Sequence, residues 1–258
     1  MAGKVSTGAR RSYGLERRAI ERFVQRSARV MISAMALDAA IGFDVYGTLV
    51  DPLGISGELR RFVGDDADRV AQLWRTTQLE YTWRRSLMGL YEPFSTCTAQ
   101  ALEFASRSLG HQLAPDAVAI LQQAYRELAA FPDAAPGLAR MRDGGRHIVA
   151  FSNGEAAFVR AVLTNAGLLP LLADVVSVDE VRAYKPAPVV YRHLAARTGT
   201  PMSETWLVSS NPFDVIGAKA AGLRAAWIRR NPRAILDPWG IEADLVVADL
   251  VELSERLR

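Results

Sequence analysis

The sequence predicts an α/β fold: a three-layer arrangement of one parallel sheet between helices, interrupted by an all-helical insertion. Three observations predict it. Apolar strand-like runs alternate with helical patterns through the second half of the chain, the mark of a parallel sheet covered on both faces. A first apolar run, Ile41 to Val50, stands far ahead of the others. The stretch between them, from Ile55 to about Ala130, reads as helix after helix with no convincing strand. At 258 residues and 50% hydrophobic, the chain can bury a sizeable core and form about one or two domains.

The elements follow in order. Residues 1–38 hold eight basic and three acidic side chains, a net +5 against +3 for the whole chain, leaving −2 for the rest. That balance excludes nucleic acid as a partner of the globular part. Arg10-Arg11-Ser12-Tyr13-Gly14-Leu15 resembles a twin-arginine export signal, but the apolar stretch after it is short. Three readings stay open for this extension: an over-long start or disordered arm, a basic surface helix over Glu16 to Arg29, and export. The first ranks ahead, with a cytoplasmic location.

The core is expected over residues 39–53 and 131–258, and a helical cap over 54–130. Cap helices are expected at Ala67–Ser86, Thr96–Leu109 and Pro115–Ala129, with hinges at Leu53-Gly54 and Phe131-Pro132-Asp133. Strands are expected at His147–Phe151, Asp174–Val178, Thr205–Val208, Arg224–Ile228 and Asp244–Val247. Helices fall between them at Pro136–Arg142, Ala156–Ala166, Val189–Thr198 and Val215–Ala221. Pro136 suits a first helical position, and Gly167, Gly199 and Gly222 suit C-terminal caps. An insertion directly after the first strand overhangs the carboxyl edge of the sheet and can exclude water there.

Cys97 is the only cysteine, so no disulfide forms within the chain, as in a reducing compartment. His111, His147 and His193 show no metal-ligand spacing. No apolar run approaches the ~20 residues that span a bilayer, so neither a metal nor a membrane is expected.

Four short stretches end strands or open helices at one edge of such a sheet: Asp44 to Thr48, Phe151-Ser152-Asn153-Gly154, Tyr184-Lys185-Pro186, and Val208-Ser209-Ser210-Asn211-Pro212-Phe213-Asp214. Each alone is a turn or a helix entry. Together, in this order, they mark an active site at the edge where open α/β sheets bind ligands. Asp44, leaving a buried strand, is placed to act as a nucleophile and form an ester.

These four stretches, with Leu73-Trp74-Arg75-Thr76-Thr77-Gln78-Leu79-Glu80-Tyr81-Thr82-Trp83, resemble the haloacid dehalogenase superfamily, and more narrowly the (S)-2-haloacid dehalogenases. The resemblance runs from about Ala39 to near the C-terminus. It implies a Rossmann-like core with a helical cap and metal-independent, cofactor-free hydrolysis of 2-haloacids with inversion, commonly by a homodimer. Where the family more often has Trp, Phe213 stands; where it often has Gln, Thr76 stands. Those departures leave pocket size and halide preference open.

Tyr46 separates this reading from its neighbour. Phosphatases on the same scaffold place a second acid two residues after the nucleophile to protonate a leaving alkoxide. A halide leaves as a stable anion and needs no proton. Ser210 and Asn211 likewise stand where such phosphatases carry Gly-Asp for Mg²⁺, a hard cation that takes oxygen ligands. The alternatives are a Mg²⁺-dependent small-molecule phosphatase and a non-enzymatic module.

Within the resemblance, Asp44 displaces halide and Lys185 keeps it ionised. Asp214 holds Lys185 and orients or deprotonates water. Thr48 and Ser209 hydrogen-bond the Asp44 carboxylate, and Asn211 positions the water. Ser152, with the backbone N–H groups after Asp44 beginning at Val45, binds the substrate carboxylate. Tyr46, Leu79 and Phe94 line the apolar part, and Tyr191 hydrogen-bonds in the site. Arg75, Asn153 and the positive ring edge of Phe213 cradle the halide.

Overall fold

The computed structural model describes residues 39–257, so the three readings of the N-terminal extension lie outside the described residues. Strand β1 (Ile41–Phe43) is short and wholly buried, as expected of a strand covered on both faces. Its partners come much later in the chain: β2 (Ile148–Ser152), β3 (Val175–Ser177), β4 (Trp206–Ser209), β5 (Arg224–Ile228) and β6 (Leu245–Val247). The sheet order is β3-β2-β1-β4-β5-β6, and every pairing is parallel. β1 lies between β2 and β4, where the order of the strands reverses direction. Loops leaving neighbouring strands diverge there and open a crevice at the carboxyl edge.

Between β1 and β2 the chain forms α1 (Ser56–Val63), α2 (Ala67–Met88), α3 (Phe94–Ser108), α4 (Pro115–Ala124) and α5 (Ala134–Asp143). Helix α1 is not evident in the sequence reading. It spans only two turns and buries only Leu59 and Val63, too few positions for a periodic signal. Helix α4 ends earlier than expected and gives way to turns ahead of Ala130. Helix α2 reaches Met88 and ends on Gly89 in the left-handed region.

The expected hinges resolve differently. Asp51 accepts from Leu53 N–H at 2.9 Å and so caps a turn of 3₁₀ helix over Pro52–Ile55. The two chain segments entering and leaving the helices are paired instead: Asp51 N–H donates to Ala129 O at 3.0 Å and Phe131 N–H to Leu49 O at 2.9 Å.

After β2 the alternation runs through α6 (Ala156–Asn165), α7 (Pro188–Thr198), α8 (Pro212–Ala221) and α9 (Leu250–Arg256). Gly199 and Gly222 end α7 and α8 with positive φ. Pro136 falls inside the first turn of α5, behind Ala134, rather than at its first position. No described helix is long and apolar enough to cross a membrane.

Candidate active site

Asp44 follows β1 directly, and its N–H extends the ladder by donating to Val208 O at 2.9 Å. Its side chain is nearly buried, yet both oxygens are bonded. Lys185 Nζ donates to Oδ1 at 3.0 Å. Thr48 Oγ1 and Asn211 Nδ2 each donate to Oδ2 at 2.8 Å. Thr48 reaches back because the chain turns tightly through Gly47, whose φ of +94° suits glycine. The same hydroxyl accepts from Ser210 N–H at 2.9 Å, which leaves its proton for Asp44.

Lys185 is 1% exposed. An ammonium carries three N–H donors, and all are used: Asp44 Oδ1, Phe151 O at 2.9 Å and Asp214 Oδ2 at 2.9 Å. Burial alone would lower its pKa, but the Asp214 and Asp44 carboxylates outweigh it and the net shift is upward. Asp214, in the first turn of α8, is fully buried. Burial raises its pKa above the ordinary carboxylate value, against the opposing pull of Lys185. Two carboxylates around one buried ammonium explain the pattern: the cation is held, and the cost of the excess negative charge is borne by the more deeply buried acid, whose charged form is disfavoured.

The helical insertion supplies the opposite wall. Arg75 on α2 donates to Tyr46 O at 3.1 Å and to Gln78 Oε1 at 2.8 Å. A cavity of about 10 Å³ remains, lined by Asp44, Tyr46, Arg75, Leu79, Phe94, Ser152, Asn153, Lys185, Asn211 and Phe213. That is room for about one water. A far larger depression, about 860 Å³, lies between α2 and α3 along Tyr81, Met88 and Phe104. It is open to solvent and holds none of the residues around Asp44, so the chemistry belongs to the small cavity.

Most expected site residues converge on this cavity, and three stand elsewhere in the network than expected. Ser209 does not bond Asp44; its hydroxyl accepts from Asn211 N–H at 3.1 Å and shapes the turn that aims Asn211. Tyr191 does not line the cavity; its hydroxyl donates to Asp214 Oδ1 at 2.8 Å, on the far side of Lys185. Asp214 is likewise one side chain removed from the cavity: it holds Lys185 and receives Tyr191, and it is not among the lining residues. Val45 is expected to act through its backbone N–H, and its side chain is buried in the core.

Asn153 Oδ1 accepts from Lys185 N–H at 3.0 Å. Ser152 Oγ accepts from Gly154 N–H at 3.1 Å, which leaves its proton for an acceptor in the cavity. Phe213 meets the Trp83 ring edge-on at 5.1 Å. Cys97 is buried, and burial raises its pKa, so it is no nucleophile.

Sequence reasoning missed Gln78, Thr98, Tyr125 and Ser210. Polar residues on a helix carry no signal of which face meets a catalytic strand. The donors do not fit a magnesium ion. Lys185 Nζ sits between Asp44 and Asp214, and the Asn211 amide turns its N–H toward Asp44.

A parallel sheet with a buried aspartate directly after β1, a lysine bridging it to a second aspartate, and a helical insertion defines a haloacid dehalogenase-like hydrolase. The family model of that description, "haloacid dehalogenase-like hydrolase", matches residues 39–222. The chain is 39% identical over 188 residues to (S)-2-haloacid dehalogenase 1 of Pseudomonas sp. (strain CBS-3), covering 73% of this chain and 83% of that one. It is 38% identical over 191 residues to the (S)-2-haloacid dehalogenase of Xanthobacter autotrophicus, covering 74% and 75%. The solved structure of L-2-haloacid dehalogenase from Xanthobacter autotrophicus with chloropropionic acid covalently bound superposes with a TM-score of 0.80 at 32% identity. That match covers 85% of this chain and 98% of the other. The chain belongs to the haloacid dehalogenase-like hydrolases and, within them, to the (S)-2-haloacid dehalogenase family.

Proposed function

We propose that the protein hydrolyses (S)-2-haloalkanoic acids to (R)-2-hydroxy acids through an ester of Asp44, without a metal ion. One observation carries the reading. Asp44 faces a cavity that also holds the Arg75 guanidinium, and the residue two places on is Tyr46 rather than an acid. A nucleophile opposite a cation, with no proton donor for a leaving oxygen, suits a leaving group that departs as an anion. Burial raises the Tyr46 pKa well above its ordinary value, so its hydroxyl stays neutral.

Asp44 Oδ1, held in place by Lys185, attacks C2 of the substrate, and halide departs toward Arg75, Asn153 and Phe213. Ser152 and the backbone N–H groups that begin at Val45 hold the substrate carboxylate. Water then adds to the Asp44 carboxyl carbon. Thr48 and Asn211, already aimed at Oδ2, stabilise the oxyanion as donors fixed in advance. Asn211 keeps its side-chain oxygen for the water, and Asp214 and Tyr191 hold Lys185 in line. The hydroxy acid leaves with release of a proton.

A haloacid exceeds the space of one water, so entry requires the cap, residues 54–130, to lift from the sheet edge. Exposed Leu87, Met88, Leu90 and Phe104 support a homodimer through the outer face of α2 and α3. Free, buried Cys97 suits the reducing cytoplasm.

The test is halide release from both hands of 2-chloropropionate with EDTA present. Turnover of the (S) form, abolished by Asp44→Asn, is expected. A strict Mg²⁺ requirement, or no halide from any 2-haloacid, overturns the reading. Monomeric sedimentation would remove the dimer alone.

A further inference from the structure

The halide cation is held by a buried hydrogen-bond chain with one permitted direction. Gln78 lies on α2 one turn after Arg75 and is 0% exposed. Its Oε1 accepts from Arg75 Nη1 at 2.8 Å and from Tyr125 Oη at 3.1 Å. Its Nε2 donates to Thr98 Oγ1 at 2.7 Å. Thr98 in turn donates to Phe94 O at 2.8 Å. A hydroxyl has one proton; Thr98 spends it on Phe94 and must therefore accept from Gln78. That fixes which end of the Gln78 amide is nitrogen and turns its oxygen toward Arg75. Trp74 Nε1 donates to Thr98 O at 2.8 Å and pins α3 in the same place.

Resting on the proposed function, we propose that Gln78 is a positioning residue for halide departure, acting through Arg75, with Tyr125 and Thr98 setting its orientation. Among the described residues Arg75 has no carboxylate partner, and its two acceptors are neutral. A neutral amide oxygen orients the guanidinium and leaves its charge available to an anion. A carboxylate at the same place would consume that charge. The chain also couples Arg75 to Phe94, which lines the same cavity.

The experiment is single-turnover kinetics with (S)-2-chloropropionate, timing halide release and hydroxy acid release separately, with added bromide as an inhibitor. Gln78→Met keeps the size of the side chain. We expect halide release to slow about tenfold, as for one hydrogen bond to a charged group, and bromide inhibition to weaken about as much. Ester hydrolysis should stay within about twofold, because the donors to Asp44 Oδ2 in that step are Thr48 and Asn211 rather than Arg75. Gln78→Glu should weaken bromide inhibition further, by pairing with Arg75.

A merely structural role predicts that both steps slow together. Equal slowing of both steps, or an unchanged halide step in folded Gln78→Met, overturns the proposal. Should that variant fail to fold, Tyr125→Phe, which removes only one hydroxyl, decides: slowing confined to the halide step supports the proposal, and any other result overturns it. Wild-type protein that releases no halide overturns the proposed function and this inference with it. Wild-type activity with unaffected variants overturns the inference alone.

Discussion

The sheet edge and the helical cap hold their charged groups in opposite ways. At the sheet edge, Lys185 is enclosed by Asp44, Asp214 and a backbone carbonyl, with every N–H spoken for. In the cap, Arg75 meets, among the described residues, a backbone carbonyl and an amide oxygen and no carboxylate. The first arrangement spends its positive charge on two carboxylates and holds Asp44 in place. The second leaves its positive charge unspent, facing the cavity. One site therefore keeps two cations from competing, because only one has charge to offer a departing anion.

Asp44→Asn should have the largest effect. It removes the nucleophile, and turnover should fall by about 10⁴-fold or more, read as halide release. If substantial turnover survives, the sheet edge is not the reacting side. Lys185→Met comes next. It leaves two carboxylates buried without their cation, which should cost about 3–5 kcal/mol of stability and about 10²–10³-fold in kcat. Chemical denaturation and steady-state kinetics measure the two losses.

Arg75→Lys tests the cap side. A lysine keeps the charge but cannot bond both acceptors in the planar geometry of arginine. A loss of about 10–100-fold in halide displacement is expected, with the thermal midpoint almost unmoved. A large fall in stability would mean that the cap cation is as structural as Lys185.

Gly217→Ala probes the same sheet-edge network from behind. A Cβ there would lie 2.5 Å from Tyr191 Oη and 2.6 Å from Pro186 Cβ, closer than packed atoms allow. Crowding of this kind costs about 1–3 kcal/mol. It should displace Tyr191 from Asp214 and lower kcat with little change in KM.

Asp133→Asn gives the smallest and most pH-dependent effect. Asp133 receives Arg230 and Leu250 N–H, and Arg230 also donates to Thr48 O. Burial opposes ionisation of Asp133, but these donors prevail and its pKa lies below 3.8. A carboxylate with a depressed folded pKa stabilises the fold above its unfolded pKa, and that contribution is lost as pH falls through the folded value. Wild-type protein should therefore unfold at higher temperature than Asp133→Asn at pH 7, with the gap closing below about pH 4. A gap that persists in acid would deny the linkage.

The two regions also differ in how plainly the sequence announced them. Asp44, Ser152, Asn153 and Asn211 each stand at the end of a strand or the start of a helix, and Lys185 lies in the turn before α7. An apolar run that stops on a polar residue marks the edge of the sheet wherever it occurs. Spacing places Ser209 and Tyr191 near the site without saying which neighbour meets each hydroxyl: Ser209 takes Asn211 N–H rather than Asp44, and Tyr191 meets Asp214. The stretch that carries the resemblance includes Gln78, but its sequence gives no sign of which neighbour the amide meets, and Tyr125 just past the end of α4 gives none either.

By itself the sequence determined the parallel α/β core, the helical insertion after its first strand, and the absence of a second acid at Tyr46. These follow from local periodicity and residue chemistry. Only the tertiary structure decided that Asp214 and Tyr191 stand behind Lys185, that Ser209 shapes the Asn211 turn, and that Gln78 orients Arg75. Those assignments depend on which of several polar groups come within hydrogen-bond distance, and that is settled by packing between segments remote in the chain.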